Sequence, residues 1–172
     1  VYGPILDQLA DHKPKTLGQL EQALKATPST QSLSFAQILQ AAMVLSATGA
    51  VQAVQDDAVV QKAKKRTDRL NVYLMTKARS SNELSYLASP VTGGGVTVPR
   101  FQQLFLLAKQ QGHKQPQDWA SFVWNILALQ NQRLVKDGKT LESVEENLAE
   151  LTAQASEFAE KQLPILKALQ IA

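Results

Sequence analysis

Apolar side chains recur along most of the chain at spacings of three and four residues, the pattern of helices with one buried face. The first fifty residues predict three short helices, whose apolar positions are Ile5, Leu6 and Leu9, then Leu17, Leu20 and Leu24, then Phe35, Ile38, Leu39, Ala42 and Leu45. A longer helix is predicted over residues 58–79, with its apolar face at Val59, Val60, Ala63, Leu70, Tyr73 and Leu74.

Helix starts are marked by a hydroxyl residue followed three positions later by Gln or Glu, which is the spacing of a capping box. Three pairs with this spacing lie directly before predicted helices: Thr16 with Gln19, Ser34 with Gln37, and Ser143 with Glu146. Each hydroxyl satisfies a free backbone amide of the first helical turn, so the pairs predict where three of the helices begin.

Between the third and fourth predicted helices the spacing of the apolar residues changes. Residues 50–55 (Ala-Val-Gln-Ala-Val-Gln) interleave apolar and polar side chains, from which we predict a half-buried strand, and Asp56-Asp57 then gives a turn. Three short helices, a strand and a turn follow the order of a winged helix-turn-helix, so we expect that arrangement in the first part of the chain.

The second part of the chain predicts two small β-hairpins among further helices. Extended segments at 86–88 and 96–98 enclose the loop of Gly93, Gly94 and Gly95, and Asp137-Gly138 is a strong two-residue hairpin signal. Helices are predicted from Pro99, after Pro116, after Ser143 and again from Pro164. The expected fold class is mainly α with small β-wings (α+β), in two winged-helix-like lobes over 1–83 and 84–172.

Composition narrows the chemistry and the setting. The chain has 172 residues, and leucine, alanine and glutamine exceed a third of them, which favours helix. It contains no cysteine and two histidines, which excludes disulfides, thiolate metal sites and a His-rich metal centre. No apolar run is long enough to cross a bilayer, so we expect a cytoplasmic protein without membrane contact. Because the chain opens at Val1 without methionine, we also expect it to be part of a longer protein.

Candidate catalytic and cofactor residues are few. The triple glycine lacks the following Lys-Ser of a phosphate loop and has no acidic residue near it, so it predicts a flexible loop. His12 and His113 have no nucleophile, second histidine or spaced carboxylate in a motif with them. We therefore expect no catalytic, cofactor-binding or metal-binding residue in this chain.

A basic stretch within the predicted long helix gives one functional hypothesis, nucleic-acid binding. Lys62, Lys65, Arg66 and Arg69 have helical spacing and could contact phosphates. A solvated surface helix, partly neutralised by Asp56, Asp57 and Asp68, is the more common explanation of such a pattern, so nucleic-acid binding is the alternative and not the expected function. The net charge of +3 is too small to decide.

The helices that would enter a DNA groove favour a different class of partner. The helix from Ser34 carries no cation, and the helix from Trp119 is apolar on most of its surface, whereas groove-reading helices need both base-contacting and cationic side chains. Such helices pack against protein. Trp119 and Phe122 fit a core, while Trp124 and Leu129 lie off that stripe and are the candidate protein interface.

Four segments carry a family resemblance: residues 86–96 (Tyr-Leu-Ala-Ser-Pro-Val-Thr-Gly-Gly-Gly-Val), 101–108, 132–139 and 163–169. Together they resemble the C-terminal part of bacterial class I S-adenosylmethionine-dependent methyltransferases that carry a predicted methyltransferase regulatory domain. That group includes rickettsial protein-lysine methyltransferases. The resemblance is firmest from about residue 84 onward.

The resemblance implies a non-catalytic region that regulates a methyltransferase or recognises its protein substrate. The cofactor would be bound in an upstream domain, since no Asp/Glu-x-Gly-x-Gly loop occurs in this chain. The partners implied are that catalytic domain, in cis or in trans, a protein substrate, and a second copy in a homodimer. The loop of Ser89, Pro90, Gly93, Gly94 and Gly95 would face the catalytic domain. Unaided binding of S-adenosylmethionine is a further alternative that the missing glycine fingerprint disfavours.

Overall fold

The computed structural model describes all residues from Val1 to Ala172. The protein is mainly helical with two small antiparallel sheets of two strands each, as the sequence predicts. The chain divides into two compact units, Val1–Asp56 and Asp57–Ala172. None of its helices is both long enough and apolar enough to cross a membrane.

The first unit consists of three helices, α1 (Tyr2–Leu9), α2 (Leu17–Lys25) and α3 (Phe35–Ala47), each packed against the other two. Capping boxes at Thr16 and Ser34 begin α2 and α3, which confirms both predicted starts. The core is small and apolar, made of Ile5, Leu20, Leu24, Ile38, Ala41 and Leu45.

The strand predicted over residues 50–55 is absent, so the first unit has no wing. The backbone amides of Ala50 and Val51 instead bond to the carbonyl of Leu45 and close the end of α3. Val51 packs on the core, but residues 52–55 are exposed, and no second strand lies in this unit to pair with them. A segment with interleaved apolar and polar residues forms a strand only where a neighbouring strand pairs with it and a core covers its apolar side.

The second unit begins with the long helix α4 (Asp57–Lys77), followed by the hairpin of β1 (Tyr86–Ser89) and β2 (Gly94–Thr97). Then come α5 (Arg100–Gln110), α6 (Pro116–Leu129), the short hairpin of β3 (Val135–Lys136) and β4 (Lys139–Thr140), α7 (Val144–Glu157), a π-helical segment (Phe158–Gln162) and α8 (Leu163–Ala168). The order confirms the predicted helices and both predicted hairpins.

The boundary between the units falls after Asp56, whereas the predicted lobes divided after residue 83. The reason is that α4 packs against α5 and β1. Asn71 of α4 fixes it there, because its side-chain amide donates to the carbonyl of Ala88 at 2.8 Å and its side-chain oxygen accepts from the amide of Ala88 at 2.7 Å. A helix that pairs in this way with a strand belongs to the strand's unit.

The apolar face predicted for α4 was partly wrong. The buried positions of the helix are Val60, Asn71 and Met75, whereas Val59, Leu70 and Tyr73 are exposed. The buried line contains a polar residue, Asn71, which apolar periodicity cannot identify.

The core of the second unit lies between α5, α6 and α7, where α6 packs on both neighbours. Phe105, Trp119 and Phe158 are its aromatic centre: the ring of Phe158 is 5.7 Å from that of Phe105 and 6.2 Å from that of Trp119. The other fully buried members include Leu104, Val123, Leu151 and Ala155. Burial of Trp119 confirms its predicted place in the core.

The helical path does not end at Pro164. A proline has no backbone N–H, so the carbonyl four residues before it loses its α-helical donor. The backbone widens into the π-helical segment, in which the amide of Leu163 bonds to the carbonyl of Phe158, five residues earlier. Helix α8 then continues from Leu163, and the helical path from Ser143 runs on to Ala168.

The capping box of α7 predicts a pH-dependent stability. The backbone amide and hydroxyl of Ser143 donate to the carboxylate of Glu146 at 3.0 and 3.1 Å, and these bonds hold the pKa of Glu146 below its ordinary value. A carboxyl whose pKa is lower in the folded state stabilises the fold above its unfolded pKa and loses that effect as the pH falls through its folded pKa.

Glu146→Gln should therefore lower Tm near neutral pH, and the difference from wild type should disappear by about pH 2. Thermal unfolding followed by circular dichroism at both pH values tests this. Thr16→Ala is the matched control, because the capping box of Thr16 is closed by the neutral Gln19, so loss of that hydroxyl cap costs about 1 kcal/mol at either pH. A Glu146→Gln deficit that stays constant across this range would contradict the argument.

Candidate functional site

Both histidines lie outside any catalytic arrangement of side chains. His12 is exposed in the loop after α1, with a positive φ of 56°. His113 has a structural position, since its carbonyl accepts from Nε1 of Trp119 at 2.8 Å and its ring lies 5.7 Å from that of Phe122. The structure groups no three His, Asp or Glu side chains at metal-binding distance.

The groups with shifted pKa values lie in ion pairs, in helix caps or in partly buried positions, and they are not clustered in a cleft. Lys136 donates to Glu150 at 2.6 Å, which lowers the pKa of Glu150 and raises that of Lys136. Burial lowers the pKa of Arg100, whose guanidinium makes four hydrogen bonds. These groups stabilise the fold and offer no acid–base pair.

Arg100 joins three parts of the second unit. Its guanidinium donates to the carbonyls of Ala78 and Arg79, just beyond the end of α4, and to the side chains of Gln130 and Gln132, beyond α6. It also borders an open groove of about 470 Å³ at the start of α5, whose other lining residues include Asn82, Phe101, Gln154, Glu157 and Gln162. Four of the ten residues that line the groove have amide side chains and three are phenylalanines.

The loop expected to face a catalytic domain is partly internal. Ser89 is buried, and its hydroxyl donates to the carbonyl of Leu169 at 2.8 Å and accepts from the amides of Val91 and Thr92. Pro90 is buried as well, so only Gly93, Gly94 and Gly95 reach the surface.

The two residues expected to form a protein interface are placed differently from each other. Leu129 is 86% exposed at the end of α6, whereas Trp124 is half-buried and packs against the core. Residues five apart on a helix lie about 140° apart around it. Trp124 and Leu129 therefore do not share one contact patch.

A surface that periodicity missed lies on α3. Phe35, Leu39 and Met43, one turn apart, are 44%, 38% and 66% exposed, while Ile38, Ala41 and Leu45 fill the core. We call the first three the apolar stripe of α3. No residue of this helix is charged, and that absence over 13 residues was the available signal.

A second surface lies on α4. Lys62, Lys65, Arg66 and Arg69 are all exposed, and none of them belongs to an ion pair. The nearby acid Asp68 pairs with Lys64 instead.

Together these features describe a mainly helical protein with an exposed apolar surface on α3 and an exposed basic surface on α4. Comparison with known proteins adds one relative: the chain is 36% identical over 171 residues to an uncharacterized protein of Synechocystis sp.. The match covers 99% of this chain and 32% of the relative, so the chain spans about a third of the length of that relative. No family model matches the chain. No solved structure matches it either.

Proposed function

We propose that this chain is a non-catalytic region of an S-adenosylmethionine-dependent methyltransferase that regulates the enzyme or recognises its protein substrate through protein contacts. The observation that carries the contact part is the apolar stripe of α3, exposed on a helix without charge. The methyltransferase part comes from the resemblance of residues 84–172. S-adenosylmethionine would be bound by another domain of the same enzyme.

The apolar stripe is suited to binding protein. Contiguous apolar side chains on a surface mark contact sites more often than isolated ones do. Phe35, Leu39 and Met43 each retain more than a third of their surface in water. Covering the exposed part of each of these side chains stabilises a complex by about 1 kcal/mol. Because α3 has no charged residue, binding at the stripe does not require a charge of this helix to be desolvated.

The partner proposed for the stripe is the catalytic domain, in the same polypeptide or in another. The Synechocystis relative carries the matched region within a chain three times as long, which supports a region that works beside further domains. A region with contact surfaces and no acid–base pair fits the accessory role better than the catalytic one.

Replacing Leu39 and Met43 by Asp should weaken association with the catalytic domain at least about tenfold, because two contact side chains are then replaced by charges that must be desolvated. Calorimetric titration of this chain with the separately produced remainder of the longer protein measures the effect. The matched control is Leu129→Asp with Val135→Asp, two exposed apolar positions of the second unit.

The control and a methyl-transfer assay separate the parts of the proposal. Equal binding by wild type and the α3 variant would remove the stripe as the interface. Loss of binding in the control alone would move the interface to the surface that contains Leu129 and Val135. Trp124→Ala tests the other predicted contact in the same titration. If the longer protein transfers no labelled methyl group from S-adenosylmethionine to protein, the methyltransferase part is wrong.

A further inference from the structure

We propose that the exposed face of α4 binds single-stranded nucleic acid through phosphate contacts and one stacked base. This basic face consists of Lys62, Lys65, Arg66, Arg69, Tyr73 and Lys77, all exposed. The inference goes beyond the contacts of α3 and does not depend on them, since it concerns different residues and a different class of partner.

The basic face is a continuous line along the helix. The steps from Lys62 to Arg66, Arg69, Tyr73 and Lys77 are four, three, four and four residues, so these side chains follow one another on one side of α4. Lys65 flanks the line. At 1.5 Å per residue the line is about 22 Å long. The buried positions Val60, Asn71 and Met75 lie on the opposite side, which keeps the basic face outward.

Its charges are available to a ligand. None of the five cations forms an ion pair, and the two acids of the helix, Asp57 and Asp68, lie off the line. Asp68 pairs with Lys64. Five unpaired cations on one helix face repel one another, and a chain of phosphates relieves that repulsion while releasing its own counterions.

Tyr73 distinguishes a nucleic acid from other anions. Its ring is 58% exposed within the row of cations, and the ammonium of Lys77 lies 5.5 Å from the ring centroid. An exposed cation–π contact of this kind strengthens an equilibrium about two- to fivefold, whereas stacking of a base on an aromatic ring contributes about 5- to 150-fold. A base therefore displaces Lys77 from the ring, and the freed ammonium can contact a phosphate.

A single strand fits this surface better than the other polyanions. A flexible strand can follow a straight row of cations and turn a base onto Tyr73, while the bases of a duplex are already stacked on each other. The carboxylates of an acidic protein segment would pair with the cations, but they cannot stack on the ring of Tyr73. A membrane-bound helix inserts a continuous apolar face, whereas the exposed Leu70 and Val72 of α4 lie on opposite flanks of the row of cations and form no such face.

Fluorescence anisotropy of a labelled oligothymidylate of about 16 nucleotides, titrated with the whole chain at several salt concentrations, tests the proposal. Five phosphate contacts predict a slope of log K against log salt of about −3.5. The triple variant Lys62→Gln, Arg66→Gln, Arg69→Gln should reduce the slope to about −1.4. Tyr73→Ala should weaken binding about 5- to 150-fold and leave the slope unchanged.

The matched control removes the same charge elsewhere: Lys114→Gln, Lys139→Gln and Lys167→Gln, all exposed and in no ion pair. It should keep the wild-type slope. The proposal is overturned by an absence of binding at low salt, by equal losses in the two triple variants, or by equally tight binding of a duplex, polyglutamate or anionic vesicles. Because Tyr73 and Leu39 are tested separately, failure here leaves the methyltransferase proposal standing, and the reverse also holds.

Discussion

Asn147→Ala should lower the free energy of unfolding by about 3–5 kcal/mol. Asn147 is fully buried, and its side chain makes three hydrogen bonds with the backbone. The side-chain oxygen accepts from the amide of Leu134 at 2.9 Å, and the side-chain amide donates to the carbonyls of Leu141 and Ser143 at 2.8 and 2.7 Å. Alanine removes these three bonds and leaves the amide of Leu134 and the carbonyl of Leu141 without this partner, at about 1–3 kcal/mol each. The carbonyl of Ser143 keeps its bond from the backbone amide of residue 147.

Urea denaturation followed by tryptophan fluorescence measures the loss. Asn125→Ala is the matched control, since Asn125 is an exposed asparagine of α6, and its replacement should change stability by less than about 0.5 kcal/mol. A loss below about 1.5 kcal/mol for Asn147→Ala would mean that the chain between Leu134 and Ser143 relaxes toward water when the amide is removed.

Phe158→Ala should also cost about 3–5 kcal/mol of the free energy of unfolding. The ring is buried between Phe105 and Trp119, and it lies at the start of the π-helical segment. Its removal leaves a cavity among side chains held by three helices, which cannot close around the missing volume without separating from one another.

Leu129→Ala is the control for this second substitution. Leu129 is 86% exposed, so the same kind of truncation there should change stability by less than about 0.5 kcal/mol. Near-UV circular dichroism reports the packing of Trp119 at the same time. A Phe158→Ala protein with unchanged stability would mean that the core of the second unit does not depend on its aromatic centre.

The elements that the sequence predicts correctly are those whose signal is local. A capping box is complete within four residues, and all three predicted boxes are present at Thr16, Ser34 and Ser143. The Asp137-Gly138 turn needs two residues with positive φ, and they have φ of 51° and 76°. No distant residue has to cooperate in either case.

The predictions fail where the burial or pairing of a residue depends on a part of the chain that is distant in sequence. Residues 50–55 were predicted as a strand, but their Ala-Val-Gln repeat has a period of three residues and no neighbouring strand pairs with it. Asn71 and Asn147 look like surface residues by type and are buried, because each bonds to the backbone of a segment at least 13 positions away. Pattern alone cannot identify such residues, because the partner that makes their burial favourable is set by the tertiary fold.

The surfaces could be predicted only in part. Helical spacing places Lys62, Lys65, Arg66 and Arg69 together, and the structure leaves all four exposed. The same reasoning assigned Tyr73 and Leu39 to buried faces, because an apolar residue next to a core stripe looks like a member of it. The number of apolar residues that a helix buries depends on how many other helices pack against it. Helix α3 packs against α1 and α2 only.

The bond between Ser89 and Leu169 has a consequence for how the protein is made. The two residues are 80 positions apart, and Ile171, two residues further on, is a buried member of the core. The β1–β2 loop therefore reaches its final bonding only after Leu169 has left the ribosome. A nascent chain that stops before Leu169 exposes the Ser89 hydroxyl and part of an unfinished core, the kind of surface that chaperones and proteases recognise. Quality control during synthesis can thus distinguish chains that extend through Leu169 and Ile171 from chains that stop before them.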